Sequence, residues 1–419
     1  MKPEPGRSRA RAAPLCIAMA TAALCALAAQ AGVPASRASP GSPEQGSALD
    51  VLRGEPADAQ FARALAPRAF EFPQDHGPHP DVRHEWWYLT GRLRANDGEA
   101  FGFELTFFRL ALAPPARGKP VSAQEASGTA RSAWRARQIY VAHFALTDIT
   151  GGTFHTSIRS AREALGLAGA RASPFAVWVG PWVIAARAPA ERPGAWPATA
   201  TAGVLDWTLR AADESVSLAL DLRGGEGPVL NGDRGLSVKA AEPGAASYYY
   251  SVPRIELAGT LRTHGRALAV SGLGWLDREW GSGALGARQV GWDWYALQLT
   301  DGSALMFYAL RDNGGGRDPH SAGTFIAPDG RSRALASDQV RITVEDHWSS
   351  PRGGRYPSRW QLQVPVLGLE LKVQPALADQ ELDVTPRYWE GAVDVRGTRG
   401  GEPVSGQGYV ELVGYATPR

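Results

Sequence analysis

Cysteine and net charge are both scarce in this sequence. Its 419 residues include two cysteines, Cys16 and Cys25, and both fall within the first 31 positions. Without that segment the chain has no residue for a disulfide, a thiol nucleophile or a cysteine metal site. Removing the same segment takes away four basic residues and Glu4, so the formal net charge changes from +2 to −1. A chain with this charge offers no basic surface for nucleic acid.

Long apolar runs are also missing after the N-terminal segment, where no stretch approaches the ~20 residues of a membrane-spanning helix. Within the segment, basic residues precede an apolar run over residues 12–29, which closes with the small-x-small pattern Ala29-Gln30-Ala31. This order is typical of a secretory signal peptide and predicts cleavage near Ala31, with export to the periplasm or beyond. A retained anchor is the alternative, whereas the leucine before each cysteine argues against a lipid anchor.

Glycine and proline, by contrast, are plentiful, with 48 and 31 residues, and they predict many turns rather than long helices. Residues 32–70 are predicted to be a linker with one short helix over 57–65. From residue 85 onward, alternating residues between turn signals predict antiparallel strands. Two stretches, 113–137 and 187–202, are predicted to be long loops or lids. The predicted strands cover residues 87–93, 101–110, 139–147, 176–184, 204–209, 216–222, 255–261, 267–275, 291–300, 303–311, 321–327, 340–348, 358–365, 368–374, 388–396 and 404–414.

The strand-rich region contains an internal repeat, whose two halves open alike. EWWY (85–88) and WDWY (292–295) each begin a strand, and each is followed by an Asp-Gly turn and a second strand that ends in arginine. Self-similarity over this length indicates two related units in tandem. We therefore predict one domain over residues 71–285 and a second over residues 286–419.

The two halves also close alike. VSGLGWLD (270–277) matches VSGQGYVE (404–411), an alignment that pairs Asp277 with Glu411. The second half holds short strands at regular spacing, which suits an up-and-down barrel because closure removes the exposed sheet edges. The sequence thus predicts an all-β fold of two tandem antiparallel barrels packed together.

Two carboxylates stand close together in GWLDREWG (274–281). On a strand, Asp277 and Glu279 share one face with Trp275, while the residues between them face the other way. Two carboxylates inside a barrel are costly unless they are paired or protonated. One interpretation makes one of them a general acid with a raised pKa, and the other makes both part of a salt-bridge network at a barrel junction. The arginines available for such a network are Arg109, Arg278 and Arg311.

Histidines cluster just before the first strand, where His76, His79, His84 and Glu85 suggest a metal site. Prolines interrupt this segment, so we predict no metal site there and instead a cap whose histidines bond to the barrel rim. The tryptophans of HEWW are predicted to close the floor of the first barrel, with His84 and Glu85 orienting a strand end or a ligand. Tyr249 is predicted to belong either to a pocket wall or to the core or an interdomain surface. The predicted ligand-binding residues are His84, Glu85, Trp86, Trp87, Tyr249, Trp275, Asp293 and Trp294.

Six segments of the chain resemble one known family. They spread over roughly residues 72–415 and read HEWWYLTGRL, GFELTFFRL, SYYYSVPRIELAGTL, GWLDREWG, VGWDWYALQLTDGSALMFYALR and GQGYVELVGY. These segments resemble the AttH-like proteins, which belong with the hydroxyneurosporene synthases, also called carotenoid 1,2-hydratases. The resemblance implies a double lipocalin-like, or calycin, fold. The chain has no Gly-rich phosphate loop and no Gly-x-Ser-x-Gly elbow, and we expect no cofactor.

Two functions follow from the resemblance. As an exported AttH-type protein, the chain would bind an apolar ligand, a lipid or an isoprenoid, and serve as an accessory to an ABC transport system. As a hydratase, it would add water to an isoprenoid C=C bond through a buried acid, with Asp277 and Glu279 as the candidates. The hydratases place Asn and His around that acid, whereas this sequence reads DREWG. This departure favours the AttH-type binding function.

Overall fold

A computed structural model describes residues 60–114, 137–187, 205–224, 227–283, 285–384 and 387–416. The predicted signal peptide, the linker up to residue 59 and almost all of the two predicted loops lie outside these residues. Of the short helix predicted over 57–65, residues 60–65 are described, and residues 61–65 among them are not helical. No helix in the described ranges is long and apolar enough to span a membrane.

The first sheet of the described residues contains thirteen strands. They are β1 (His84–Ala95), β2 (Ala100–Ala111), β3 (Gln138–Asp148), β4 (Thr153–Arg162), β5 (Ala168–Ala172), β6 (Phe175–Val179), β7 (Trp182–Ala186), β8 (Asp206–Ala212), β9 (Ser217–Gly224), β10 (Val229–Leu230), β11 (Leu236–Val238), β12 (Ala246–Thr263) and β13 (Arg266–Gly281). Their order across the sheet is β4-β3-β2-β1-β13-β12-β9-β8-β7-β6-β5, with β10 and β11 paired to β12.

The second sheet contains ten strands within the same described ranges. They are β14 (Gln289–Leu299), β15 (Ala304–Asp312), β16 (Ala322–Ile326), β17 (Ser332–Ala336), β18 (Arg341–Ser349), β19 (Arg355–Val364), β20 (Leu369–Pro375), β21 (Glu381–Leu382), β22 (Tyr388–Arg399) and β23 (Glu402–Val413). Their order is β17-β16-β15-β14-β23-β22-β20-β19-β18, with β21 paired to β22. Short 3-10 turns occur at Gln74–His76, Ser337–Gln339 and Pro365–Leu367.

Each sheet curls into a nearly closed barrel around its own apolar core. The first core includes the fully buried Trp87 and Trp182, and the second includes the fully buried Tyr295 and Trp360. Side chains of this size fill the interior of a small barrel. The predicted all-β fold of two tandem lipocalin-like barrels is confirmed.

The first two strands form the hairpin that the sequence predicts. The turn contains Asn96 and Asp97 and closes at Gly98, whose φ of 96° suits glycine. Along β1, Trp87 and Leu89 point into the first core, while Tyr88 points out of the barrel into a separate apolar cluster. Strand β1 is therefore buried on both faces, and its outer face forms a second contact surface outside the barrel.

Two strand predictions differ from the structure. The single strand predicted over 176–184 is a hairpin of β6 and β7, because the chain reverses at Gly180, where φ is 57°. The strand predicted over 255–261 begins nine residues earlier in β12 at Ala246. Pro253 lies inside that strand at a register shift between Val252 and Ile255, and such an irregularity accommodates a residue that has no backbone N–H to donate.

Glu85 lies at the centre of a buried ion-pair cluster inside the first barrel. Its carboxylate binds the guanidinium of Arg109 and accepts a hydrogen bond of 2.8 Å from Arg278 Nη2, and all three side chains are fully buried. Burial raises the pKa of Glu85, but the charges of the two arginines outweigh it and hold that pKa well below its ordinary value. The Arg278 guanidinium also lies 4.0 Å from the centroid of the Trp87 ring. The arginines on the inner face are thus bound to Glu85.

Asp293 is the counterpart of Glu85 in the second barrel, because it pairs with Arg311 at 3.1 Å as Glu85 pairs with Arg109. An alignment of EWWY with WDWY by their letters is therefore shifted by one residue from the structural equivalence. A shift of one residue exchanges the two faces of a strand. Trp87 points into its barrel, whereas Trp294 points out of the second barrel.

We predict that Glu85→Gln lowers the free energy of unfolding by about 3–5 kcal/mol, because it leaves two buried guanidinium groups without a carboxylate. Asp293→Asn is the matched control in the second barrel, where the Arg311 side chain is 22% exposed. Water reaches that cation, so we expect a loss of only about 1–2 kcal/mol there. Urea unfolding of both variants measures the difference, and equal losses would contradict this account.

Candidate functional site

The outer faces of the two barrels meet in a third apolar cluster, separate from both cores. Strands β1, β12 and β13 of the first barrel contribute Tyr88, Tyr249 and Trp275, and the second barrel contributes Trp294 and Tyr409 among others. The rings of Tyr88 and Trp294 meet edge to face, with centroids 4.9 Å apart. Polar groups among these aromatic side chains form the candidate site.

Asp277 is the central carboxyl group of this region and is 3% exposed. The hydroxyl of Tyr249 donates to Oδ2 at 2.5 Å, while the hydroxyl of Ser251 and the indole N–H of Trp275 donate to Oδ1 at 2.5 and 2.7 Å. Trp294 of the second barrel in turn donates to the Tyr249 hydroxyl at 3.1 Å. Both barrels therefore fix the position of this carboxyl group.

A second route connects Asp277 to the second barrel through amide and hydroxyl groups. Asn231 donates from Nδ2 to the Ser251 hydroxyl at 2.9 Å, and Thr324 of β16 donates to Asn231 Oδ1 at 2.7 Å. This chain of hydrogen bonds satisfies polar groups that are buried away from water. It also makes the orientation of Ser251 depend on how the two barrels pack.

Burial raises the pKa of Asp277 to about 7, although three hydrogen bonds from its neighbours oppose the rise. Among the residues that the structure describes, Asp277 takes part in no ion pair. The salt-bridge interpretation of the sequence therefore does not apply to it, because the three candidate arginines bind Glu85 and Asp293 instead. A carboxyl group that titrates near neutral pH can both donate and accept a proton there.

Glu279 lies two residues further along the same face of β13, but its partners are different. The Lys239 ammonium group lies 3.2 Å from Glu279 Oε1, and the Ser247 hydroxyl donates to the same oxygen. Lys239 also lies 3.6 Å from the centroid of the Tyr308 ring. Glu279 is thus held as the anion of a buried ion pair, whereas Asp277 has no cation of its own.

The second barrel adds two more acids to the interface. Glu390 is fully buried, and its Oε1 accepts a hydrogen bond of 2.6 Å from the Tyr88 hydroxyl. Its neighbour across the β22–β23 pair is Glu411, which is half-buried. Burial raises the pKa of Glu411 to about 7, a bond from Trp292 opposes this, and the charges of Glu279 and Asp277 add to it.

A further acid, Glu104, faces the same interface from β2. It is fully buried, and neither of its carboxylate oxygens has a hydrogen-bond partner of normal geometry in the part of the chain that the structure describes. Burial raises its pKa to about 8, Thr106 offsets part of the rise, and the charge of Glu411 adds to it. Nearby, His143 Nδ1 lies 2.8 Å from the Tyr388 hydroxyl. Burial therefore favours the neutral form of Glu104.

The AttH-like family model matches residues 63–415 of this chain. The chain belongs to the AttH-like family. The crystal structure of an AttH protein from Nitrosomonas europaea is 32% identical and covers 85% of this chain and 100% of its own, with a TM-score of 0.70. Kievitone hydratase from Nectria haematococca is 17% identical, covers 88% of this chain and 98% of its own, and shares the fold with a TM-score of 0.60. No curated protein sequence matches the chain.

The predicted site residues of this AttH-like protein separate into two groups. Asp277, Glu279, Tyr249, Trp275, Trp294 and Trp86 lie between the barrels. The two carboxylates are therefore at a barrel junction, one of the two predicted locations, and not inside a barrel. Glu85 and Trp87 lie inside the first barrel, and Asp293 binds Arg311 in the second. His84 stacks on Trp86, with ring centroids 6.2 Å apart.

The predicted cap before β1 contains buried histidine contacts. His76 Nδ1 lies 2.6 Å from the Tyr250 hydroxyl. His79 lies between Asp75 and Glu85, at 3.0 and 3.1 Å, and stacks on Trp280. Within the described ranges, no three His, Cys, Asp or Glu side chains are arranged to hold a metal ion.

Sequence reasoning did not assign Ser251, Lys239 or Glu390 to the site, and it paired Glu411 with the wrong residue. Across the sheets, Trp86 pairs with Glu279 and Trp294 pairs with Glu411. Since Trp86 and Trp294 both face the other barrel, Glu411 is the counterpart of Glu279, two residues from the predicted match. Alternation along β12 was a usable signal for Ser251, which shares a face with Tyr249.

We predict that Glu104→Gln makes the protein more stable at alkaline pH. An unfolded glutamate titrates near pH 4.5, and Glu104 in the folded protein near pH 8, so its contribution is complete below pH 4.5 and is lost as the pH rises to 8. Glutamine does not titrate, so the variant should gain on the order of 2–4 kcal/mol over the wild type at pH 9 and little at pH 5. Unfolding at both pH values measures this, with the exposed Glu370→Gln as control. A constant difference between the two pH values would contradict the prediction.

Proposed function

We propose that this protein binds an apolar, unsaturated molecule between its two barrels and protonates it from Asp277. The observation that carries the proposal is the state of this carboxyl group, which is buried, hydrogen-bonded by both barrels and without a cation among the described residues. With a pKa of about 7, about half of the molecules carry the transferable proton at neutral pH. The proton is thus available without a cofactor.

Addition of water to an isolated C=C bond is the reaction that these residue types suit. The acid delivers a proton to carbon, and the tertiary cation that forms must be kept from bulk water until one water molecule adds. Aromatic faces stabilise such a cation through their quadrupoles. Trp294 supplies one of these faces, with its ring 4.9 Å from Tyr88 and 6.4 Å from Trp275 between centroids.

The substrate class that we propose is a carotenoid-type isoprenoid with a terminal trisubstituted double bond. The family resemblance to carotenoid 1,2-hydratases supports this class, and the name of kievitone hydratase is consistent with hydration by a protein of this fold. We propose that the ligand lies between the barrels because the barrel interiors are filled by side chains such as Trp87, Trp182 and Trp360.

A second candidate is an AttH-type carrier of a lipid or isoprenoid that works beside an ABC transport system. One observation favours it: three donors point at Asp277, and such a set also suits an ionised carboxylate that only anchors the interface. A carrier would hold its ligand against the same aromatic cluster without turnover. Binding without any chemical change of the ligand would therefore select the carrier.

We also propose that the protein acts in the periplasm or outside the cell, because a basic segment, an apolar run and Ala29-Gln30-Ala31 follow one another at the N-terminus. The expected mature protein begins at Gly32. Intact-mass measurement of the protein from its own cells tests this, and a mature chain that still begins at Met1 would reject cleavage.

We predict that Asp277→Asn lowers hydration of lycopene, an acyclic carotenoid dispersed in detergent, by at least ~100-fold, because asparagine has no proton to transfer. Lycopene binding and the melting temperature should change little, since asparagine keeps the shape of the side chain. Mass spectrometry in water enriched in oxygen-18 counts the labelled hydroxyl groups in the product. The exposed Asp329→Asn is the matched control and should retain full activity. Full turnover in Asp277→Asn would reject the acid role, and lycopene bound but unchanged by the wild type would favour the carrier.

A further inference from the structure

Asp277 and Glu411 approach the same pair of aromatic rings from different barrels. Asp277 pairs with Tyr88 across β13 and β1, and Glu411 pairs with Trp294 across β23 and β14. The Tyr88 and Trp294 rings are in edge-to-face contact, with centroids 4.9 Å apart. The charges of Asp277 and Glu411 also interact. The two carboxyl groups therefore flank one aromatic contact.

The surroundings of Glu411 leave it available for proton transfer. It takes part in no ion pair among the described residues, whereas Glu279 on the facing strand is bound to Lys239. Directly beside it, Glu390 gives one oxygen to the Tyr88 hydroxyl, while its Oε2 is buried without a partner in the part of the chain that the structure describes. Glu411 is half-buried and Asp277 almost fully buried, so water reaches Glu411 more easily.

We propose that Glu411 is the second proton-transfer residue of the inter-barrel site, accepting the proton of the water molecule that adds to the substrate and returning it to Asp277. This role rests on the hydration proposed above. It assigns the base to the second barrel and the acid to the first, so the reaction would need both barrels.

The bonds and charges balance in three steps. The Asp277 O–H bond breaks as a C–H bond forms at the alkene, which leaves a carboxylate and a carbocation. The oxygen of one water molecule then bonds to the cation, and the Glu411 carboxylate takes the extra proton from the resulting oxonium. Finally the proton moves from Glu411 to Asp277, which restores both groups and leaves an alcohol. No oxidant, reductant or cofactor enters the sequence.

The similar pKa shifts of Asp277 and Glu411 favour this cycle. Burial raises the pKa of Asp277 and that of Glu411 well above the ordinary carboxylic acid range, so either group can carry the proton near neutral pH. Glu279 is unsuited to the same work because its carboxylate is held by Lys239 and Ser247. Glu390 and Glu104 face Glu411 from the neighbouring strands, and ionisation of Glu411 in turn raises the pKa of both.

The first test needs no substrate. Carboxyl signals of protein labelled with carbon-13 in aspartate and glutamate are followed by NMR against pH in the wild type, Asp277→Asn and Glu411→Gln. We expect each substitution to lower the apparent pKa of the remaining partner, because one negative charge has been removed from its surroundings. Titration of Glu411 near pH 4.5, unaffected by Asp277→Asn, would overturn the proposal.

The second test is turnover of lycopene by the wild type, Glu411→Gln and Glu411→Asp. We expect Glu411→Gln to lower kcat at least tenfold with little change in KM and to remove the fall of activity on the acidic side of the pH profile. Glu411→Asp keeps the carboxylate and should recover part of kcat, which a structural role would not require. Glu370→Gln serves as the surface control. An active wild type with an equally active Glu411→Gln would overturn the base role alone, whereas an inactive wild type would reject the proposed hydration and, with it, the base role.

Discussion

Strand β1 is buried on both faces, and much of the molecule depends on that constraint. Trp87 and Leu89 fill the first core, while Tyr88 packs against Trp294 of the other barrel. Over residues 84–91 such a strand leaves little surface to water, so a polar group beside it must find a partner or become neutral. The paired strand β13 is under the same constraint, with Leu276 inside and Asp277 outside.

The two faces satisfy this constraint by different means. The charged groups of the inner face stabilise the fold, and the carboxyl group of the outer face is the one that we propose as the acid. On the inner face, two arginines bind Glu85 and keep it ionised. On the outer face, Asp277 has hydroxyl and indole donors but no cation among the described residues, so burial raises its pKa to about 7. A carboxylate with two guanidinium partners has no proton to give, whereas a carboxyl group near neutrality exchanges one readily. The reaction that we propose is therefore assigned to the space between the barrels.

Local alternation was enough to predict part of this arrangement from the sequence. It assigned Asp277 and Glu279 to one face and Arg278 to the other, because side chains alternate strictly along a strand. It could not tell which face meets the second barrel, since both faces of β13 carry apolar and charged side chains and both are buried from Gly274 onward. The pairing of Lys239 with Glu279 was equally inaccessible, because it joins positions forty residues apart. The letters EWWY and WDWY even misled the comparison by one residue, which exchanged inside for outside.

The interface is asymmetric, although the repeat supplies equivalent positions in both barrels. Glu279 and Glu411 occupy equivalent positions beside Trp86 and Trp294. By the same register, the counterpart of Asp277 is Tyr409, which contributes a ring to the shared cluster but no acid with a pKa near neutrality. In two identical barrels, the same residue types would face each other across the interface. A buried acid on one side, faced by aromatic rings and a half-buried glutamate on the other, requires the two copies to differ. The proton transfer that we propose between them depends on that difference.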